Sequence, residues 1–269
     1  MIIAVDTGGT KTLVAAFGKN GSLLRSEKFP TPHDVTEYIE LLSSTITRVA
    51  HDKPFDAISV ALPGMVRGHT ALWCPNLGWK NQPIGSMLGK QFDCPIVLEN
   101  DANLAGLAEA RALTTIPDVV LYVTVSTGIG TGIIVDGKLH SGFNNSEAGH
   151  MVLEYDGKMR EWESVASGRA IKATYDSYAR DIHDRRIWEQ IADKISRGLA
   201  ALLPLFNPHT VIIGGSIGTY FDRYDRALRA HLARYMDPHL ELPEIRQAKH
   251  PEEAVIYGCY YYALEQLDR

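Results

Sequence analysis

Val5-Asp6-Thr7-Gly8-Gly9-Thr10-Lys11 and Val125-Ser126-Thr127-Gly128-Ile129-Gly130-Thr131 follow one plan. In each, an apolar β run enters a Thr/Gly turn and a second β run leaves it. Asn20-Gly21 closes the first pair and Asp136-Gly137 the second, both strong hairpin signals. A repeat of this kind predicts two related hairpin-led domains, with a ligand site in the cleft between them. Glycine lets backbone N–H groups approach an anion because no Cβ stands in the way. Gly8, Gly9, Thr10 and Lys11, with Thr127, Gly128, Gly130 and Thr131, are therefore candidate phosphate contacts. Asp6 suits a Mg²⁺ ion carried in with a nucleotide, directly or through water. Each turn alone could be no more than a tight hairpin; the repetition favours the phosphate reading. A dinucleotide fingerprint should open a helix, whereas Gly128 to Gly132 runs into Ile133-Ile134-Val135-Asp136-Gly137, another strand and turn.

Outward from the turns, helix and strand alternate. Val35, Tyr38, Ile39, Leu42, Ile46 and Val49 recur at helical spacing behind Asp34, a candidate N-cap. Ala57–Leu62 reads as a buried strand, Ile84–Phe92 as a helix, Pro95–Leu98 as a short strand and Ala102–Ala112 as a helix. In the second half, strands are expected at Val119–Val125 and Thr210–Ile213, and helices at Ile187–Leu205, Tyr220–Tyr235 and Glu253–Leu267. The 269 residues are 45% hydrophobic and 22% charged, with a formal net charge of −5 and no basic block. That argues against a nucleic acid partner. Cys74, Cys94 and Cys259 are odd in number and widely spaced, which suits a reducing compartment better than a disulfide framework. The N-terminus shows no signal-peptide pattern and no apolar run is long enough to span a membrane, so a cytoplasmic protein without a membrane partner is expected.

Glu99-Asn100-Asp101-Ala102-Asn103 lies between an expected strand and an expected helix. Asp101 there reads either as a helix cap or as a general base. Phosphoryl transfer to a hydroxyl needs one carboxylate within reach of that proton. Asn100 can donate and accept, which suits a neighbouring hydroxyl. Glu147, His150 and Glu163 form a second polar set, suited to the hydroxyls of a pyranose; the alternative is a solvated loop. Asn76 is a further sugar candidate, and Trp79 reads equally as an apolar sugar face or as packing.

In the order and spacing of these motifs the chain resembles the ROK family of bacterial sugar kinases, within the actin-like ATPase superfamily. Asp6–Lys11 resembles the family's first phosphate motif and Ser126–Gly132 its second. Pro63–Val66 and Pro75–Trp79 resemble the sugar-domain loops, Glu99–Asn103 the catalytic motif, Glu147–His150 and Glu163–Gly168 the sugar segments, and Val211–Ser216 the nucleotide-side motif. The resemblance implies an α/β fold of two actin-like (ribonuclease H-like) domains, each a mixed β-sheet with flanking helices, with the active site in the interdomain cleft. Residues 1–113 and 254–269 would form the sugar/phosphate domain and 114–253 the nucleotide domain. It implies Asp101 as base, Asn100 as a sugar contact, Gly214 and Gly215 on the nucleotide side, Mg²⁺, ATP as donor, and glucose phosphorylated at C6. It also implies a homodimer; Tyr257–Tyr262 could line an interface or a core. Other readings are an N-acetylglucosamine or N-acetylmannosamine kinase, polyphosphate as donor, and an inactive sugar sensor, against which Asp101 and both turns argue.

There is one departure. Many family members carry a Cys-rich zinc stretch after the Gly-His pair, with the His as fourth ligand. The interval from His150 to Glu163 holds no cysteine and looks shortened. A Cys₃His zinc site is therefore not expected, and some other device must hold that loop. No family repressor module is expected, since the chain starts at the first phosphate strand.

Overall fold

Ile2, Ile3, Ala4 and Val5 are buried on both faces of a strand, β1 (Ile2–Thr7), which turns at Gly8-Gly9 into β2 (Lys11–Phe17). The computed structural model describes residues 1–250 and 253–268. Residues 251, 252 and 269, included in the expected domain ranges, lie outside the described residues. The chain divides into two units: Met1–Ala108 with Glu253–Arg269, and Glu109–Glu252.

The first unit continues with β3 (Leu23–Pro30), α1 (Val35–Ala50), β4 (Ala57–Leu62), β5 (Met65–Arg67), β6 (Thr70–Cys74), β7 (Trp79–Gln82), α2 (Ile84–Leu88), β8 (Ile96–Asn100) and α3 (Asp101–Arg111). Its main sheet has the order β3-β2-β1-β4-β8. Strands β1, β4 and β8 are parallel, with the β1–β2–β3 meander antiparallel beside them. Asp34 caps α1 by accepting from the Glu37 N–H at 2.9 Å. The stripe Tyr38, Ile39, Leu42, Ile46 and Val49 is buried, as the spacing predicts. Strands β5, β6 and β7 form a small sheet that the sequence reading does not anticipate. Helix α2 is shorter than expected, stopping at Leu88.

The second unit contains β9 (Val119–Val125), β10 (Ile129–Val135), β11 (Lys138–Leu139), β12 (Val152–Tyr155), β13 (Lys158–Glu161), α4 (Trp162–Ala166), α5 (Gly168–Tyr175), α6 (Arg185–Phe206), β14 (Thr210–Gly214), α7 (Gly215–Gly218), α8 (Asp225–Tyr235) and β15 (Glu244–Gln247). The order β11-β10-β9-β14-β15 repeats the logic of the first sheet: parallel strands β9, β14 and β15, with an antiparallel hairpin beside them. Asp136 and Gly137 both take positive φ, 51° and 70°, as a type I′ turn requires. The expected helix from Tyr220 starts only at Asp225, because Phe221–Arg223 turns first.

The final helix, α9 (Ala254–Leu267), belongs to the first unit. Gly258 lets it approach α3 closely; a Cβ there would stand 1.9 Å from the Leu104 carbonyl oxygen. Tyr260 is buried, lies tilted against Phe17 with ring centroids 5.2 Å apart and donates to the Lys19 carbonyl at 3.1 Å. The Tyr-rich stretch therefore contributes to this unit's core.

Candidate active site

In the first unit the parallel register places Asp6, Ala61 and Glu99 in one row, one residue before the carboxyl ends of β1, β4 and β8 at Thr7, Leu62 and Asn100. The residues that follow, Gly8, Pro63 and Asp101, share that edge of the sheet, a common place for chemistry in α/β folds. The first turn is held by its own backbone. The Gly8 N–H donates to the Lys11 carbonyl at 3.0 Å, and Thr31 grips the turn through its hydroxyl to the Gly8 carbonyl and its N–H to the Thr10 carbonyl. Thr10 and Lys11 are exposed. Asn76, also exposed, lies beside Gly9, where an added Cβ would stand 3.4 Å from the Asn76 Cβ. Trp79 is buried, with its indole N–H on the His33 carbonyl at 2.7 Å and its ring edge-on to Tyr38, so its role is packing.

Asp6 keeps a partly exposed side chain, but protein atoms crowd the rest of it. Burial pushes its carboxyl up to about 6, against the opposing pull of the Lys28 charge. An ionised carboxylate there gains from a cation. Among the described residues, no group of three or more His, Cys, Asp or Glu is placed to hold a metal. A single carboxylate completed by water and phosphate oxygens fits Mg²⁺, which keeps several waters.

Asn100 and Asp101 divide the work at the start of α3. The Asn100 side-chain oxygen accepts from the Ala102 and Asn103 N–H groups at 2.8 and 3.1 Å, the capping role. Its amide nitrogen donates to the Gly64 carbonyl at 3.0 Å. Asp101 Oδ1 shares the Ala102 N–H at 2.8 Å. Glu99, buried beneath the loop, accepts from the Asn100 N–H and the Asn103 amide, and burial pushes its carboxyl up. The cap is thus Asn100, and much of its amide is spent on protein.

The second unit assembles the other turn with the Glu/His set. The Ser126 N–H donates to the Gly128 carbonyl at 2.8 Å, and the Gly168 N–H donates to the Ser126 carbonyl at 2.6 Å. Glu163 Oε2 accepts from the Ile129 N–H at 2.8 Å, and a Cβ on Gly128 would stand 2.2 Å from that oxygen. Gly149 sits against the Ile129 carbonyl, where a Cβ would come within 2.3 Å. Burial raises the Glu147 carboxyl from its ordinary value; the His150 ring lowers it and the Glu163 charge raises it further. His150 and Glu163 therefore both lie near Glu147. Gly214 and Gly215 close against β9: a Cβ on Gly215 would stand 2.6 Å from the Thr124 hydroxyl and the Val125 carbonyl.

Thr131 requires a correction as a phosphate contact. Along β10, Ile129, Thr131 and Ile133 alternate inward, and Thr131 is only 3% exposed. Its hydroxyl is enclosed, so it cannot meet a phosphate at the turn.

A cavity of about 450 Å³ opens beside Ser126 and Thr127. Its walls include Arg169, Lys172, Tyr178, Arg180, Ile217 and Tyr220, residues that the motifs do not single out. Lys172 and Arg180 both lie over the Tyr178 ring, at 5.0 and 5.1 Å. Gly168 and Ser216, which also line it, end two of the motifs and carry a signal in the sequence.

The interval after His150 is a β-hairpin. Asp156 and Gly157 at φ 53° and 73° turn β12 into β13. Trp162 follows, fully buried, with its N–H on the Met151 carbonyl at 2.9 Å and its indole N–H on the Lys194 carbonyl at 3.1 Å. Tyr155 lies under Arg197 at 5.0 Å. These contacts fasten the loop to α6. The Asp-Gly pair was the signal available in the sequence.

A family model described as the ROK family matches residues 2–266, and the chain belongs to that family. It is a phosphotransferase of the sugar-kinase class, acting on a hydroxyl acceptor. An N-acetylmannosamine kinase of Yersinia pestis (strain Pestoides F) is 30% identical over 292 aligned positions, covering 98% of this chain and 99% of the relative. A ROK hexokinase from Thermus thermophilus superposes with a TM-score of 0.84 at 30% identity, over 100% of this chain and 99% of that one. A ROK family glucokinase from Streptomyces griseus, solved with glucose and AMPPNP, gives 0.82 at 25% identity, over 98% and 99%. The fold is that of these kinases. Among the described residues no helix is long and apolar enough to cross a membrane.

Proposed function

We propose that the chain transfers the terminal phosphoryl group of Mg-ATP to the C6 hydroxyl of a hexose, glucose first, with Asp101 as general base. The observation that carries this is the division of labour at the start of α3. Asn100 caps the helix, so Asp101 is held on the sheet edge it shares with the Gly8 turn without serving as the cap itself. In this reading Asp101 accepts the hydroxyl proton as the phosphoryl group leaves. Asn76, Glu147, His150 and Glu163 orient the ring, with the remaining Asn100 N–H as a further donor. Gly8, Gly9, Thr10, Thr127, Gly128 and Gly130 offer backbone and hydroxyl donors to the phosphates. Lys11 adds charge, and Gly214 and Gly215 keep the nucleotide side open. Asp6 would hold Mg²⁺, directly or through water, and the ion would neutralise charge on the phosphates when bound.

The cavity beside Thr127 supports a nucleoside donor over bare polyphosphate, because Tyr178, Ile217 and Tyr220 supply apolar surface that a phosphate chain does not use. The N-acetylmannosamine kinase relative favours a second reading, an N-acetylhexosamine as acceptor. Cys74, Cys94 and Cys259 form no disulfide with one another, which suits the cytoplasm.

A coupled assay with glucose, N-acetylglucosamine and N-acetylmannosamine, each with ATP and with polyphosphate, tests these readings. Turnover is expected with glucose and ATP. Asp101→Ala is expected to lower kcat by about 10²–10⁴-fold with sugar KM little changed. Near-wild-type turnover in that variant would remove Asp101 from the base role.

A further inference from the structure

We infer that Arg169 is a donor-binding residue whose guanidinium takes the phosphates nearest the nucleoside of the donor nucleotide. This assignment rests on the nucleoside reading of the cavity beside Thr127. Lys11 gives the first turn a cation, whereas Ser126 to Gly132 holds neither lysine nor arginine. A nucleoside seated against Tyr178, Ile217 and Tyr220 would run its phosphates along Ser126 and Thr127, which line the same cavity. Arg169 lines it too, and nothing in the mechanism above uses that residue.

Among the described residues Arg169, Lys172 and Arg180 line the cavity, and no Asp or Glu does. Two of these cations are engaged. Lys172 Nζ donates to the Asp176 carboxylate at 3.0 Å and to the Asp176 carbonyl at 2.8 Å. Arg180 Nε lies 3.5 Å from Asp181 Oδ2, and its guanidinium lies over the Tyr178 ring. Arg169 is exposed and, among the described residues, makes no ion pair, hydrogen bond or ring contact with its side chain. Its backbone, by contrast, is fixed beside the turn. The preceding Gly168 N–H donates to the Ser126 carbonyl at 2.6 Å, and a Cβ on Gly168 would stand 2.6 Å from that oxygen. Ser167 accepts from the Ala170 N–H at 3.2 Å and so caps α5. An uncommitted guanidinium on a fixed mount offers a planar fork that matches phosphate oxygens.

Calorimetric titration of the full chain with ADP in the presence of Mg²⁺, together with steady-state kinetics, tests this. ADP keeps the nucleoside and the phosphates nearest to it. Arg169→Ala and Arg169→Met are both expected to weaken ADP binding about tenfold and to raise ATP KM by a similar factor, with sugar KM changing by less than about twofold. Arg169→Lys, which keeps the charge and loses the fork, should recover part of the loss. Added salt should weaken ADP binding more in the wild-type chain than in Arg169→Met. ADP bound by Arg169→Met as tightly as by the wild type, or equal weakening in Arg169→Met and Arg169→Lys, would overturn the role of Arg169 and leave the nucleoside reading in place. A wild-type chain that binds no ADP and turns over only with polyphosphate would overturn the nucleoside reading, and the assignment of Arg169 with it.

Discussion

Asp6 carries the clearest conflict between burial and charge. Its carboxyl is pushed up to about 6 by burial, from an ordinary value of 3.8. A raised folded-state pKa means that the native state prefers the neutral acid. That preference stabilises the fold fully below the ordinary value, and it is lost as pH rises through about 6. Asparagine mimics the neutral acid at every pH. Asp6→Asn is therefore expected to raise stability by roughly 2 kcal/mol at pH 8, after allowing for partial exposure, and by almost nothing at pH 4. Urea unfolding at the two pH values measures this, and an equal gain at both would reject the assignment. The same variant should lose activity with Mg-nucleotide, since a charge held at some cost is what a cation can use. Asp6 and the glycines of both turns were visible in the sequence as parts of a repeated pattern, and Asp101 as a carboxylate between an expected strand and an expected helix. The capping role of Asn100 was not, because Asn100 and Asp101 are adjacent and both suit a cap; only the hydrogen bonds at 2.8 and 3.1 Å distinguish them.

The hairpin and the short helix after it work as one element. Trp162 lies flat on α6 where Gly198 leaves room, and a Cβ on Gly198 would stand 2.0 Å from the indole. In an open helix, Gly→Ala would gain up to about 1 kcal/mol. Here the neighbour is a rigid, fully buried ring, and overpacking of that kind costs about 1–3 kcal/mol or more. Gly198→Ala is thus expected to destabilise the protein by about 1–2 kcal/mol net and to raise sugar KM, because Glu163 follows the displaced tryptophan. Thermal unfolding and steady-state kinetics check the two halves of this expectation, and a more stable variant with unchanged KM would contradict it. The hairpin was not read from the sequence, although Asp156-Gly157 carries a turn signal. The seat on α6 was not legible, since it joins residues far apart in the chain through a glycine that reads locally as a weak helix position.

At the scale of the whole molecule, each unit closes its own apolar core. The loop that many family members bind with zinc is held here by strand pairing, a buried tryptophan and the Arg197–Tyr155 contact. The purified protein is accordingly expected to contain no stoichiometric zinc. A zinc-selective chelator should leave its thermal midpoint unchanged, whereas removal of Mg²⁺ should stop turnover. A fall in the midpoint with release of zinc, read by elemental analysis, would contradict this.

By itself the sequence determined what depends on residue type and short spacing: two Thr/Gly turns between β runs, a carboxylate after a strand, a Glu/His set, and an interval without cysteine. These follow from local backbone chemistry, which a motif carries with it. Only the tertiary structure decided that Thr131 faces inward, that Asn100 is the cap, and that Glu163 holds the turn at Ile129. Each of these depends on which face of a strand is buried or on contacts between distant segments, and packing alone sets them.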